Sequence, residues 1–482
     1  MWPFRGRVSK SRQVVVRASY DAAKTTYENR NHWANADNFS ALAAITPQVR
    51  RTLRSRARYE VANNSYCAGI VQTIANDTIG TGPVLQMLTN SATANRIIEA
   101  EFEAWASSVG LAAKLRTMRM ARAQDGEAFA MLVSNPGIAG PVKLDVQLVE
   151  ADQVAAPAIT VDLNDYPADG IKYDAYGNPV SYTLLTTHPG DPVSDASSAR
   201  TIPAASMIHW FRTDRAGQVR GIPDITPAIP LFAQLRRYTL AVISAAETAA
   251  NFGVIMETTA PAGGEAAEVD PTTEMELSRN SAIFSPEGWK ATQLKAEQPT
   301  TTYAQFKREI LGEIARCLNI PYNVAAADSS SYNFASGQLD HQTYYRSLRV
   351  DQTHLETVVL DRILAAWLEE AQRVLDELPT LDEIGHQWFW DGREVGNPID
   401  LANATQVRLT AKTTTLLTEY AKVGKDWETE VQQIAKEDAL LKKLGLTTAQ
   451  ATPAPFAKPQ EPQNVKQEDS ESDTSEEADD ED

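Results

Sequence analysis

Residues 226–252 constrain the fold more than any other part of this 482-residue chain. Leu231, Leu235, Tyr238, Val242, Ala245 and Ala249 recur there at three- and four-residue steps, the period of one apolar helix face. A helix of about 25 residues is roughly 37 Å long, and its stripe needs a neighbour to cover it. Arg236, Arg237 and Glu247 interrupt the stretch, and no uncharged run reaches the ~18 residues of a bilayer span, so a soluble protein is expected. Residues 258–298 are rich in Pro, Gly, Glu and Thr, with a short apolar centre at Ala282 to Phe284, and read as a small protruding subdomain. Residues 303–318 read as a second helix returning from it.

Before this unit the chain mixes helices and strands. Val49, Leu53, Ala57, Val61, Ile70 and Ile74 mark a helical stripe over residues 47–76, broken near Asn63 and Asn64. Arg50, Arg51, Arg54, Arg56 and Arg58 lie in the same stretch. They suit a phosphate-binding or acidic-partner surface, but a solvated helix face is the preferred reading. Gly80-Thr81-Gly82-Pro83 completes neither phosphate-loop pattern and reads as a helix-to-strand turn. Residues 94–105 and 115–122 look helical, and residues 127–133 and 142–149 alternate as strands. Asp125-Gly126-Glu127 offers two carboxylates for acid–base work. Without a neighbouring His or a second acidic cluster in sequence, a turn into a strand is the simpler reading. Residues 162–208 read as short strands joined by turns.

After Ile320-Pro321 the sequence YNVAAADSSSYNFASGQ is small, polar and irregular. Its serines lack a G-x-S-x-G frame, and His341 and His354 have no acidic orienter at a recognisable spacing, so nucleophilic catalysis is not indicated. Residues 341–378 read as a long helix carrying Tyr345, Leu348, Leu355, Val359, Ile363, Ala366 and Leu375. WFWDGREVGNP reads as a strand and turn, and residues 400–421 and 426–444 as two further helices.

Charge excludes a protein that coats nucleic acid through an overall positive field. The net charge is −18, and ten acidic residues with no basic ones fall in positions 468–482. The preceding segment is proline-rich, so a disordered acidic tail is expected from about residue 447. Cys67 and Cys317 fit neither a disulfide framework nor a zinc site, which favours a reducing compartment. The basic first residues lack the apolar core of a secretory signal.

Several segments, in this order, resemble the lambda-type portal proteins of tailed bacteriophages. They are RARYEVANNSYCAGIVQTIANDTIGTG, ARAQDGEAFA, VQLVEADQV, MIHWFRTDRAGQVRGIPDITPAI, the helix to AAETAANFGVIME, and IARCLNIPYNVAAADSSSYNFASGQ. The family-motif positions within them are Asn64, Tyr66, Gly80, Gly82, Asp125, Gly126, Glu127, Arg220, Gly221 and Pro321.

The resemblance implies an α+β portal fold. A basic N-terminal arm (1–46) precedes a mixed α/β wing (47–223), followed by a stem helix (224–252), a small α/β clip (253–302) and a second stem helix (303–320). A tunnel loop (321–337), a long kinked helix with the rest of the wing (338–400), crown helices (401–446) and the acidic tail (447–482) complete the chain. It further implies a homododecameric ring at a capsid vertex, conducting double-stranded DNA without sequence specificity. The expected partners are the terminase large subunit, the head–tail adaptor and the major capsid or scaffolding protein. Asp328, Ser329, Ser330, Ser331, Tyr332 and Asn333 would face the channel. No catalytic chemistry, cofactor, metal or membrane is implied. The alternatives are another phage head structural protein and, further off, a phage nuclease or protease subunit.

Overall fold

The computed structural model describes residues 25–155, 169–192, 198–250, 254–258, 289–293, 302–330, 332–375, 378, 385–391, 398–421, 423, 425 and 427–445. The expected acidic tail, most of the expected clip and the first half of the N-terminal arm lie outside them.

The chain opens with α1 (Ala41–Ala44), α2 (Pro47–Asn63) and α3 (Ser65–Ile79). Thr46 caps α2 and Pro47 occupies its first turn, the position where proline loses no hydrogen bond. Strand β1 (Val84–Met87) leads to α4 (Ala92–Ser108) and α5 (Leu111–Asp125). Six strands follow: β2 (Glu127–Ser134), β3 (Leu144–Val149), β4 (Ile171–Tyr173), β5 (Pro179–Leu185), β6 (Ala199–Pro203) and β7 (Met207–Phe211). Two antiparallel sheets result, ordered β3-β2-β7 and β4-β5-β6.

Strand alternation gives the first sheet two different faces. Ala128, Ala130, Ile208 and Trp210 enter a core shared with α4 and α5, whereas Phe129, Met131 and Met207 enter a second core shared with Tyr182 and Leu184 of β5. The long apolar helix α6 (Ile229–Ala250) comes next, then the antiparallel pair β8 (Val254–Thr258) and β9 (Trp289–Gln293), then α7 (Thr302–Cys317). The starts of α6 and α8 (Tyr322–Ala326) join α2, α3 and α7 in a third core.

From α9 (Phe334–Leu355) the helix continues through a π-helical turn at Glu356–Leu360 into α10 (Asp361–Val374). Its inward residues Tyr344 and Leu348 belong to the core beneath α6, and Leu355 through Ala371 to the core beneath the sheet. One long helix thereby ties the two together. Strand β10 (His386–Phe389) pairs antiparallel with β1, Trp388 opposite Leu85. The buried Trp388 and Trp390 direct their indole N–H groups to Asp361 and Glu356, at 2.9 and 2.6 Å, as buried indoles require.

Helices α11 (Pro398–Thr410) and α12 (Leu416–Ala421) follow, the chain bending at residues 411–415, where one continuous helix was expected. Helix α13 (Trp427–Lys443) belongs to a separate compact unit. It has acidic residues in its first turn and lysines in its last, the order the helix dipole favours. No helix among the described residues is long and apolar enough to cross a membrane.

Candidate functional site

Helix α2 presents only some of its arginines as a solvated face: Arg51 and Arg56 are exposed and Arg58 half-buried, but Arg50 and Arg54 turn inward. Arg50, Arg54, Ala57 and Val61 share one stripe, and Arg50 and Arg54 are each only 4% exposed. The inward face is rotated by one residue from the Val49-Leu53 pattern, leaving Val49 exposed. The cause is a set of carboxylates on the elements beneath. Glu127, at the start of β2, is fully buried and accepts hydrogen bonds from Arg220 Nη2 at 2.6 Å, Arg220 Nε at 2.8 Å, Arg54 Nη2 at 3.2 Å and the Gly221 amide at 3.2 Å. His209 Nε2 lies 3.1 Å from Oε2, the oxygen that also accepts from Arg220 Nε and Gly221, the imidazole stacked between Phe129 and Phe211. Arg58 pairs with Asp125 at 2.6 Å and Asp152 at 2.9 Å, and Arg50 with Asp169. Four carboxylates thus face four guanidinium groups, the balance that buried charge demands. Burial alone would raise the Glu127 carboxyl, but the Arg220 guanidinium and the His209 hydrogen bond hold it well below the usual carboxylate range.

The motif glycines are part of the same contact. Gly126 has φ +92°, and a Cβ there would lie 2.4 Å from the Ile222 carbonyl carbon; one on Gly221 would lie 2.0 Å from the Gly126 oxygen. Asp125-Gly126-Glu127 is therefore a turn into a strand, as the sequence suggested, and also half of a backbone-on-backbone contact with Arg220-Gly221. Gly80 has φ +58°, and a Cβ there would collide with the Asp391 carboxylate, which accepts from the Thr81 amide and hydroxyl at 2.6 Å each. Gly82, at φ +125°, lies against Ala112. Asn64 ends α2 and caps α3 through the amides of Tyr66 and Cys67, while its Nδ2 donates to the Phe232 carbonyl of α6 at 3.1 Å. The Tyr66 ring receives the Lys307 ammonium of α7, 4.9 Å from its centroid.

A second buried ion cluster was not visible in the sequence. Arg119 and Arg122 of α5 reach Asp224, before α6, and Asp351 of α9, at 3.0 to 3.5 Å and 2.7 to 3.1 Å. Arg122 also stacks over Trp210, whose indole N–H donates to His354 Nδ1 at 3.2 Å. Two arginines three residues apart inside an otherwise inward-facing helix were the available signal, but their partners are more than one hundred residues away. Among the described residues, Glu150, Asp152 and His188 form the one group whose ligand atoms could converge on a cation. The Arg58 guanidinium already spans both of those carboxylates.

The irregular loop expected over residues 321–337 is shorter in the structure. Pro321 caps α8, its carbonyl accepting from the Val324 and Ala325 amides, and α9 begins at Phe334, so among the described residues after Pro321 only 327–330, 332 and 333 are non-helical. Helix forms at both ends because local caps supply it. Ala327 closes α8 in the left-handed region, and Asn333 Oδ1 accepts from the Ser336 amide at 2.8 Å to start α9. Between them the Asp328 carboxyl is held low by hydrogen bonds from the Ser330 side chain and backbone, and the Tyr332 amide donates to the Ser329 carbonyl. Ser329, Ser330 and Asn333 are exposed and Tyr332 is half-buried; Ser331 lies outside the described residues. The motif positions thus gather at the ion cluster and helix joints, while the serine segment is a separate exposed connector between two helices.

The family described as "Phage portal protein, lambda family" matches residues 27–352. A probable portal protein of Halomonas phage phiHAP-1 is 22% identical over 490 residues, covering 93% of this chain and 90% of its own. Among solved structures, a chain in the neck of an empty gene transfer agent particle has a TM-score of 0.48 at 13% identity, covering 77% of this chain and 92% of that one. An HK97-family phage portal protein from Corynebacterium diphtheriae has a TM-score of 0.27 at 12% identity, covering 74% of this chain and 97% of that one.

Proposed function

Because this chain belongs to the lambda family of phage portal proteins, we propose that it assembles into a dodecameric ring at one capsid vertex and gives double-stranded DNA its passage into and out of the head. The observation that carries this reading is the family match over residues 27–352, more than half of the chain. The order of elements supports it: an α/β body, a paired helix α6, a strand pair, a returning helix α7, a short exposed connector and one long helix. In this reading the body is the wing, α6 and α7 the stem, the β8–β9 pair the described part of a clip, and α11 to α13 the crown. The clip would dock the terminase large subunit during packaging and the head–tail adaptor afterwards, with capsid or scaffolding protein around the ring. The terminase hydrolyses ATP, and this chain does no chemistry.

The acidic balance suits a conduit. Each phosphate held by a Lys or Arg must be released before DNA advances, so a channel with few fixed cations lets it slide. The connector carrying Asp328, Ser329, Ser330, Ser331, Tyr332 and Asn333 is the segment proposed to face the DNA. Its hydroxyl and amide groups can touch the backbone, and none forms the bidentate fork that reads a base. Replacing Ser329, Ser330 and Ser331 by alanine, or deleting residues 328–334, should leave rings assembled. DNA packaging and retention should fall, further for the deletion. Normal packaging and retention by assembled deletion rings would contradict the channel assignment.

A further inference from the structure

Among the described residues, strand β10 pairs with β1 alone. The outer edge of β1 is closed by α4, where Glu99 Oε1 accepts from the Met87 amide at 2.6 Å. The outer edge of β10 instead borders a cleft of about 820 Å³, within the size range of ligand sites. Tyr345, Arg349, Glu356 and Asp361 of the long helix and Thr418 of α12 contribute to its other walls. Every residue from 386 to 391 lines this cleft. Successive side chains of a strand point to opposite faces, and burial alternates here, with Trp388 and Trp390 buried and Gln387 and Asp391 exposed. Residues of both faces meet one cleft when the backbone edge itself borders it. The ladder agrees: the Leu88 amide donates to the Gly385 carbonyl at 2.7 Å and Leu85 lies opposite Trp388, so antiparallel alternation turns the Trp388 amide and carbonyl away from β1. Such an edge is a template for an added strand.

The carboxylates around this edge set what the added strand must carry. Asp361 lies at one end, its Oδ1 3.0 Å from His386 Nε2 and 2.9 Å from Trp388 Nε1. Asp391, which is exposed, lies at the other end. Glu356 also lines the cleft, where its Oε1 accepts from Trp390 and Arg349. Three carboxylates among the lining residues thus accompany one guanidinium.

The chain contains a segment that matches. Arg12-Gln13-Val14-Val15-Val16-Arg17 places three β-branched residues between two arginines, and β-branched residues are strong strand formers. Residues 1–24 carry six basic side chains and one acidic, the opposite balance to the cleft. Arg12 and Arg17 are as far apart in sequence as His386 and Asp391, about 17 Å of extended chain. That odd separation puts the two arginines on opposite faces of a strand, as it does His386 and Asp391.

We propose that residues 12–17 of this chain add to the open edge of β10 as a third strand, one arginine against Asp361 and the other against Asp391, with the valines covering the cleft. The ladder supplies affinity, and the charges at its two ends fix the register. The inference concerns the edge of one sheet and does not rest on the ring reading.

Hydrogen–deuterium exchange on the full-length chain tests it. In the natural protein, amides of residues 13–17 and the Trp388 amide should be protected together. Val15→Pro removes a strand amide and should raise exchange about tenfold in both segments. Val15→Ile keeps the amide and the β-branch and should exchange like the natural chain. Arg12→Glu combined with Arg17→Glu should also raise exchange in both segments, as should added salt in the natural chain, which screens the ion pairs. Exchange in β2 should be the same in every variant, showing that the body stays folded. Equal exchange at Trp388 in the natural and Val15→Pro chains, whether fast or slow, would overturn the proposal, and so would a natural chain whose residues 13–17 exchange without protection.

Discussion

Arg220 and Glu127 show how a motif residue can be recognisable without its purpose being legible. The sequence marks both as family positions, yet the physical reason is a buried pair completed by Arg54, His209 and the Gly221 amide, contributed from four separate places in the chain. Truncating one partner strands the other charge in the interior, which costs about 3–5 kcal/mol. Arg220→Ala should lower unfolding stability by that amount in a denaturant titration, and adding Glu127→Leu should recover part of the loss. A change under about 1 kcal/mol for Arg220→Ala, the range of ordinary surface substitutions, would show that the cluster does not hold the body together.

His354 gives a pH-dependent counterpart. Burial, and then the Arg122 charge, hold its imidazole below the ordinary value of 6.5, and its Nδ1 accepts the Trp210 indole hydrogen. The folded state therefore favours the neutral ring. Its contribution is complete above the unfolded value and is lost as pH falls through the folded one. The difference in thermal midpoint between the natural chain and His354→Asn should narrow from pH 7.5 to pH 5.5. A constant or widening difference would contradict the assignment.

At the scale of elements, apolar periodicity located the helices and strands well, because burial of one face is a local pattern. It placed the first half of the α2 stripe one residue off, at Val49 and Leu53, since the inward positions there hold Arg50 and Arg54 and pattern reading assigns arginine to solvent. It also read residues 321–337 as wholly irregular. Small and hydroxyl-bearing residues disfavour helix on average, but Pro321 and Asn333 supply the caps that let helix form at either end. Asn64 is the clearest joint between elements, capping α3 and holding the α6 backbone with one side chain. Asn64→Ala removes both interactions and should cost about 1–2 kcal/mol, read as a lowered thermal midpoint. Asn64→Ser, which can cap but cannot reach α6, should fall between the two, whereas equal midpoints for all three chains would show the joint to be idle.

At the scale of the molecule, the order of elements could be read from sequence because each carries its own pattern, and that order is what the family resemblance recognised. The two ion clusters could not be, because their partners meet only after folding. They fix the elements from which the proposed ring would be built: Arg54 ties α2 to the sheet and Arg58 ties it to the end of α5, and Arg119 and Arg122 tie α5 to the base of α6 and to α9. A rigid subunit with exposed apolar helix faces is suited to one repeated contact. The central claim is that this chain closes into a ring around a channel, and imaging the purified full-length protein by electron microscopy at micromolar concentration tests it most directly. The account predicts closed rings of twelve copies with an open centre wide enough for duplex DNA; a chain that remains monomeric across that range, or closes without a central opening, contradicts it.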